Sequence, residues 1–200
     1  MISPPPTLVN DWFNLLHASP FLGFLNLDLL YLVNNLLLIP IYIALCIALK
    51  PTHESIAITA LIVGLVGIAA YIPSNVAFEM LAISKLYSVA VTPTQQSILL
   101  AAGQALIVKN EGTAFLVYYI LNAIALLLFA FAMLRSRVFG KRAAYAGIVA
   151  GLLMLVPSTV GTIGLIFAFT SLLPWAIFSI LIARTLFQLG RNNQNNETQA

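Results

Sequence analysis

The chain has 200 residues, of which 61% are hydrophobic and 8% are charged, and its mean hydropathy is +1.00. Soluble domains carry about 25% charged residues, so this composition excludes an ordinary soluble domain and predicts a chain that lies in lipid. The net charge of +3 comes from basic residues spread between apolar runs, so we expect no nucleic-acid partner. The single cysteine, Cys46, excludes an internal disulfide and a cysteine-based zinc site.

The first half of the chain predicts two spans after a short N-terminal segment. Residues 1–20 are expected to be irregular or to lie at the membrane interface, and Trp12 is typical of such a boundary. The first span covers about residues 21–49 and ends at Pro51, because proline disrupts a helix beyond its first turn. The second span runs from about residue 55 to residue 72, where Pro73 permits a kink before a helical extension toward residue 87.

The second half predicts three further spans. Residues 92–110 are too polar to cross and predict a helix on the membrane or against the spans, followed by a third span over residues 113–134. The fourth span begins near Ala143 and either kinks at Pro157 and continues to residue 169, or stops at residue 156 before a re-entrant piece. The fifth span covers residues 172–189, with Ser171 as its N-cap and Pro174 in its first turn.

The predicted fold is therefore all-α: a polytopic transmembrane helical bundle of about five spans plus one or two interfacial helices. Its domain covers residues 21–190, and the polar residues 191–200 are expected to form a disordered tail.

The basic residues orient the predicted spans. Short loops rich in Lys and Arg stay in the cytoplasm, and the loop between the third and fourth spans holds Arg135, Arg137, Lys141 and Arg142. With five spans, the N-terminus lies outside and the C-terminus is cytoplasmic. Lys85 and Lys109 fall on the outer side, against the rule.

Four stretches of the sequence together resemble a known family. They are NLDLLYLVNNLLLIPIYIALCIAL at residues 26–49, GLVGIAAYIPSNVAFEML at residues 64–81, GTAFLVYYILNAIALLLFAFAMLRS within residues 111–141, and PWAIFSILIARTLFQLG at residues 174–190. Over residues 18–191 the chain resembles the DUF4386 family of uncharacterised bacterial integral membrane proteins. The resemblance implies a multi-pass protein of the bacterial plasma (inner) membrane with no assigned activity. Members usually begin with a further hydrophobic helix, which we expect to be missing here.

Three predicted helical faces each combine an acid with tyrosine and asparagine. They are Asp28, Tyr31 and Asn35; Tyr71, Asn75 and Glu79; and Glu111, Tyr118 and Asn122. All three acids belong to the outer half in the predicted topology, and an ionisable group in a span is costly enough to mark a functional candidate. One hypothesis is an outward-facing polar cavity for a proton, a cation or a small polar ligand. The alternative is hydrogen bonding between helices, which contributes about 1 kcal/mol per side chain.

No pattern of catalytic or metal-binding residues accompanies these faces. His17 and His53 lie in separate predicted loops, and the sequence has neither a G-x-S-x-G motif nor a P-loop. We therefore expect no metal or cofactor and favour a non-enzyme: an integral membrane protein of unknown biochemical activity, with a binding or regulatory role. The alternative is a small transporter or an ion- or proton-coupled carrier. The expected partners are the lipid bilayer and a small polar ligand or cation.

Overall fold

The computed structural model describes residues 6–197, and all regular structure in that range is helical, which confirms the all-α prediction. The elements are α1 (Val9–Ala18), α2 (Pro20–Asn26), α3 (Leu29–Tyr71), a 3₁₀ turn (Ile72–Ser74), α4 (Ala77–Ser88), α5 (Pro93–Asn110), α6 (Thr113–Arg135), α7 (Lys141–Leu153) and α8 (Gly161–Glu197). The described chain forms two compact units. Unit 1 holds residues 6–37 and 69–116, and unit 2 holds residues 38–68 and 117–197. The domain boundary predicted over residues 21–190 stays a prediction.

Helix α3 is a hairpin of two arms. Its 43 residues would extend about 65 Å if straight, roughly twice the hydrocarbon core of a bilayer. His53 has non-helical dihedral angles (φ −147°, ψ 63°) just after Pro51, and the chain turns there. Tyr42 and Gly64 lie equally far along the chain from His53, yet a Cβ at Gly64 would be 2.5 Å from the Tyr42 ring. The segments before and after His53 in unit 2 therefore run antiparallel, as the first two predicted spans require.

Proline also ends the second arm of α3. The helix stops at Tyr71, Pro73 lies in the 3₁₀ turn, and Asn75 is extended (φ −66°, ψ 125°). Beyond it α4 is a separate helix, so the predicted extension to residue 87 is interrupted. Helix α5 then begins with a capping box between Thr92 and Gln95, with the helix bounds that the sequence predicts.

The last two predicted spans have different boundaries in the structure. Helix α7 ends at Leu153, before Pro157, so the kinked helix to residue 169 is wrong. Helix α8 begins at Gly161 and runs through Pro174. The predicted N-cap at Ser171 is also wrong, because its hydroxyl donates to the Ala168 carbonyl inside the helix, at 2.7 Å.

The C-terminal tail also differs from its prediction. Helix α8 continues to Glu197, so residues 191–197 are helical where we predicted disorder. Residues 198–200 of that predicted tail lie outside the described residues.

Three helical stretches of the described chain are long and apolar enough to cross a membrane: Leu29–Ser88, Pro93–Arg135 and Gly161–Asn192. The first contains the α3 hairpin and hence two predicted spans, so the count of five stays a prediction. Large apolar side chains face outward along these helices, among them Ile47 (68% exposed) and Leu173 (70% exposed). Soluble monomers rarely expose contiguous apolar surface on this scale, whereas lipid solvates it. The chain is therefore a membrane protein.

Each unit has its own apolar core. In unit 1, α1 packs against α4 and buries Phe13, Leu16 and Met80; Trp12, which suggested a membrane boundary, is buried there too. In unit 2 the core includes Leu45, Leu49, Phe129, Met133 and Phe178, and α7 packs against α8.

Candidate functional site

Asp28 occupies the turn between α2 and α3, ahead of the apolar stretch that begins at Leu29. The prediction that placed Asp28 inside the first span, on a helical face with Tyr31 and Asn35, is therefore wrong. Among the non-glycine residues of the described chain, Asp28 alone has a positive φ, of 61°. Asp tolerates this left-handed region better than most residues do. Its carbonyl accepts the first helical bond of α3 from Leu32 N, at 2.9 Å.

Two side chains distant in sequence hold this turn. Tyr71 Oη donates to the carbonyl of Asp28 at 3.4 Å, and Asn75 Nδ2 donates to the carbonyl of Leu27 at 2.8 Å. The side chains of Tyr71 and Asn75 also bond to each other. The extended backbone at Asn75, which follows from the break at Pro73, is therefore part of what fixes Asp28. These contacts lie within unit 1.

The Asp28 carboxyl group is influenced by the charge of a second acid. Burial by the surrounding protein raises the pKa of Asp28, the nearby charge of Glu111 raises it further, and a hydrogen bond from the Asn110 side chain lowers it. Asp28 is nevertheless an exposed residue by its accessible surface, so its burial is only partial and protons and ions can reach it. Neither acid belongs to a salt bridge among the residues that the structure describes. One of the three predicted acids thus acts on another.

Asn110 was not among the predicted site residues. The available signal was its position next to Glu111, at the C-terminal end of α5. Adjacent residues at a helix end lie in the same region, so a site that includes Glu111 can also include Asn110. The sequence could not indicate which carboxyl group it would bond.

Aromatic rings and a buried amide adjoin the turn. The Tyr31 ring packs edge-on against Tyr71, with centroids 5.3 Å apart, and lies 6.5 Å from the ring of Phe115. One helical turn further, Asn35 is fully buried and its Nδ2 donates to the Tyr31 carbonyl at 3.0 Å. Within residues 6–197 its Oδ1 has no hydrogen-bond partner. A buried acceptor without a donor costs about 1–3 kcal/mol.

Glu79 does not share a helical face with Tyr71 and Asn75, contrary to the prediction. The helix breaks at Pro73, which changes the angular relation between residues before and after it. Glu79 lies exposed in the first turn of α4, whereas Tyr71 is buried. The acid whose charge acts on Asp28 is Glu111, so these two acids form the candidate site, and the convergence of all three stays a prediction.

The third predicted face is divided between the units. Glu111 belongs to unit 1, and Tyr118 and Asn122 belong to unit 2. In unit 2 Asn122 is buried, its Oδ1 accepts from Tyr42 Oη at 2.8 Å, and its Nδ2 donates to the Tyr118 carbonyl at 3.1 Å. The bond from Tyr42 in α3 to Asn122 in α6 matches the alternative of hydrogen bonding between helices, whereas the Tyr118 bond lies within α6. Tyr42 was missed because its neighbours are apolar; a buried tyrosine hydroxyl that needs a partner was the only signal.

The residues that the structure describes contain no group of three or more His, Cys, Asp or Glu side chains that could hold a metal ion. The candidate site is thus the Asp28 carboxyl group in a turn that Tyr71 and Asn75 hold, together with Glu111, whose charge raises the pKa of Asp28. The model of the family described as "Domain of unknown function (DUF4386)" matches residues 15–190, so the chain belongs to this family and the resemblance is confirmed. The comparisons with curated proteins and with solved structures find no match.

Proposed function

We propose that the chain is a membrane protein that binds a proton at the Asp28–Glu111 pair. The observation that carries the proposal is the hydrogen bond from Asn110 to the Asp28 carboxyl group, next to Glu111, whose charge raises the pKa of Asp28. Neither acid has a cationic partner in the described chain. A nearby like charge favours protonation of one member of such a pair, because the bound proton reduces the repulsion. Partial burial of Asp28 adds to this preference, since it penalises the charged form.

The surroundings of the pair favour a binding role. Asp28 is fixed by bonds from Tyr71 and Asn75 to the backbone of its turn, so little reorganisation is needed when its charge changes. Asn110 can donate to the charged carboxylate, which keeps the deprotonated state accessible. A proton is favoured over a metal ion, because two carboxylates supply few of the six or more oxygen ligands that hard cations take.

Selective labelling provides a direct test. The chain has two aspartates, Asp11 and Asp28, so ¹³Cγ-aspartate labelling in nanodiscs yields two carboxyl signals that the Asp11→Asn variant assigns. We expect the midpoint of Asp28 to lie above the ordinary aspartate value of 3.8 and to fall in Glu111→Gln. The matched control is Glu79→Gln, which removes one acid of unit 1 that is exposed on α4.

Two results would contradict the proposal. One is an Asp28 midpoint at the ordinary value, and the other is an equal shift in Glu79→Gln and Glu111→Gln. The same variants in liposomes with an internal pH dye separate binding from transport. Proton flux that Asp28→Asn abolishes would extend the role to a carrier, whereas binding alone predicts no such flux.

A further inference from the structure

A groove in unit 2 lies between the beginning of α7 and the second half of α8. It has a volume of about 430 Å³ and is lined by Gly140, Lys141, Arg142, Ala143, Leu181 and Thr185. Pockets that bind small ligands have volumes of roughly 300–1,000 Å³, so the groove has room for a polar headgroup. Its lining combines two cationic side chains, the apolar side chains of Ala143 and Leu181, and the hydroxyl group of Thr185.

The packing of α7 on α8 places this groove at one end of the helix pair. Gly147 lies against the Phe178 ring, where a Cβ would be 2.9 Å from the nearest ring atom. From this contact the groove lies toward the N-terminus on α7 and toward the C-terminus on α8, so the two helices run antiparallel. Gly140 is the N-cap of α7 and offers no side-chain cap, so the N–H groups of Lys141 and Arg142 have no capping side chain, while that of Ala143 donates to the Gly140 carbonyl at 3.0 Å.

The charge of this region has no internal compensation. Between Gly112 and Asn196 the sequence contains no Asp or Glu, but its basic residues are Arg135, Arg137, Lys141, Arg142, Arg184 and Arg191. Lys141 and Arg142 are exposed and belong to no ion pair among the described residues. Among the described side chains, the cations of the groove therefore have no anionic partner.

The apolar surface beside the groove identifies the kind of anion. Ile177, Ile180 and Phe187 of α8 are exposed on the same helix that supplies Leu181, and such surface is solvated by acyl chains. A phospholipid offers both parts at once: an anionic headgroup for the cations and acyl chains for the helix. We infer that the groove binds the phosphate headgroup of an anionic phospholipid of the surrounding bilayer.

The test measures binding of brominated phosphatidylglycerol to the full-length protein in nanodiscs. Binding is read from the quenching of a fluorophore at position 136, in a Cys46→Ser/Ser136→Cys background that has no other thiol. We expect the double variant Lys141→Gln/Arg142→Gln to weaken the preference for phosphatidylglycerol over phosphatidylcholine by about tenfold. The matched control Arg135→Gln/Arg137→Gln removes the same charge outside the groove and should weaken it less than about twofold. Arg135 already lies over the Phe131 ring, 5.1 Å from its centroid.

A third variant separates the groove from its charge. Thr185→Trp fills the groove and leaves every cation in place, so it should also remove the preference, and its thermal unfolding in detergent reports whether the fold survives. Equal losses in the two charge variants, or full binding by Thr185→Trp, would overturn the inference in favour of diffuse surface attraction. Displacement of the lipid by millimolar inorganic phosphate would overturn it in favour of a soluble anion.

Discussion

The buried bond between Tyr42 and Asn122 gives the sharpest test of how unit 2 is held together. Tyr42 Oη donates to Asn122 Oδ1 at 2.8 Å, while Asn122 Nδ2 keeps its own bond to the Tyr118 carbonyl. Tyr42 is 3% exposed and Asn122 is 2% exposed, so water cannot replace either partner in the native protein. The bond joins residues 80 positions apart in sequence, so its loss weakens the packing of α3 against α6 and not the stability of a single helix.

The two single substitutions should differ in size. Tyr42→Phe removes the donor and leaves one Oδ1 lone pair unused, and hydrogen bonds between membrane helices contribute about 0.6 kcal/mol on average and up to about 2. Asn122→Ala leaves the Tyr42 hydroxyl buried without an acceptor, at about 1–3 kcal/mol, and also opens a small void. We expect a destabilisation of about 1 kcal/mol for Tyr42→Phe and about 3 kcal/mol for Asn122→Ala.

A double-mutant cycle isolates the bond itself. In the double variant Tyr42→Phe/Asn122→Ala no tyrosine hydroxyl is left buried without an acceptor. The double variant should therefore be about 1 kcal/mol more stable than the sum of the two single destabilisations predicts. The free energy of unfolding is measured by steric trapping in bicelles. Additive effects would refute the reasoning, because they would mean that Tyr42 and Asn122 act independently in the native protein.

Three further predictions concern other parts of the chain. Gly67→Ala should destabilise by about 1–3 kcal/mol in the same assay, because its Cβ would press on the Asn122 amide and lie 3.1 Å from the Leu121 Cβ. Stability should fall as pH rises from about 3.8 through the higher folded pKa of Asp28, since the folded state holds that proton longer; pH-dependent unfolding of Asp28→Asn should lack this component. Thr92→Ala should cost about 1 kcal/mol by removing half of a capping box, with faster amide exchange at the start of α5; unchanged exchange would contradict this.

The helix boundaries that the sequence predicts well are those that local chemistry decides. Helix α6 is an apolar run that Gly112 precedes, and its observed bounds differ from the prediction by one residue. The turn of α3 at His53 follows from the nearby Pro51, whose ring and missing N–H disfavour a continuous helix. The break at Pro73 follows in the same way.

The boundary between α7 and α8 depends on packing instead. Pro157 and Pro174 carry the same local signal, yet the helix stops before the first and continues through the second. The Gly161 backbone, with φ 58°, turns the chain into α8, and Gly164 lies against the Pro157 carbonyl, closer than a side chain would allow. Local helix propensity does not include such tertiary contacts and so cannot tell which of the two prolines ends a helix. For this reason the sequence predicts a helix start at Ser171, whereas α8 begins at Gly161.

The candidate site was predictable as a set of residues and not as a geometry. The sequence around Asp28 is apolar on both sides and reads as one continuous span. Its turn exists because Tyr71 and Asn75, 43 and 48 positions from their acceptors, donate to the carbonyls of Asp28 and Leu27. Asparagine can serve this purpose because Pro73 has already broken the helix and extended the backbone at position 75. A proline just after the second arm of α3 thus determines the conformation of an acid before the first arm, and the acid becomes a candidate site only in the folded chain.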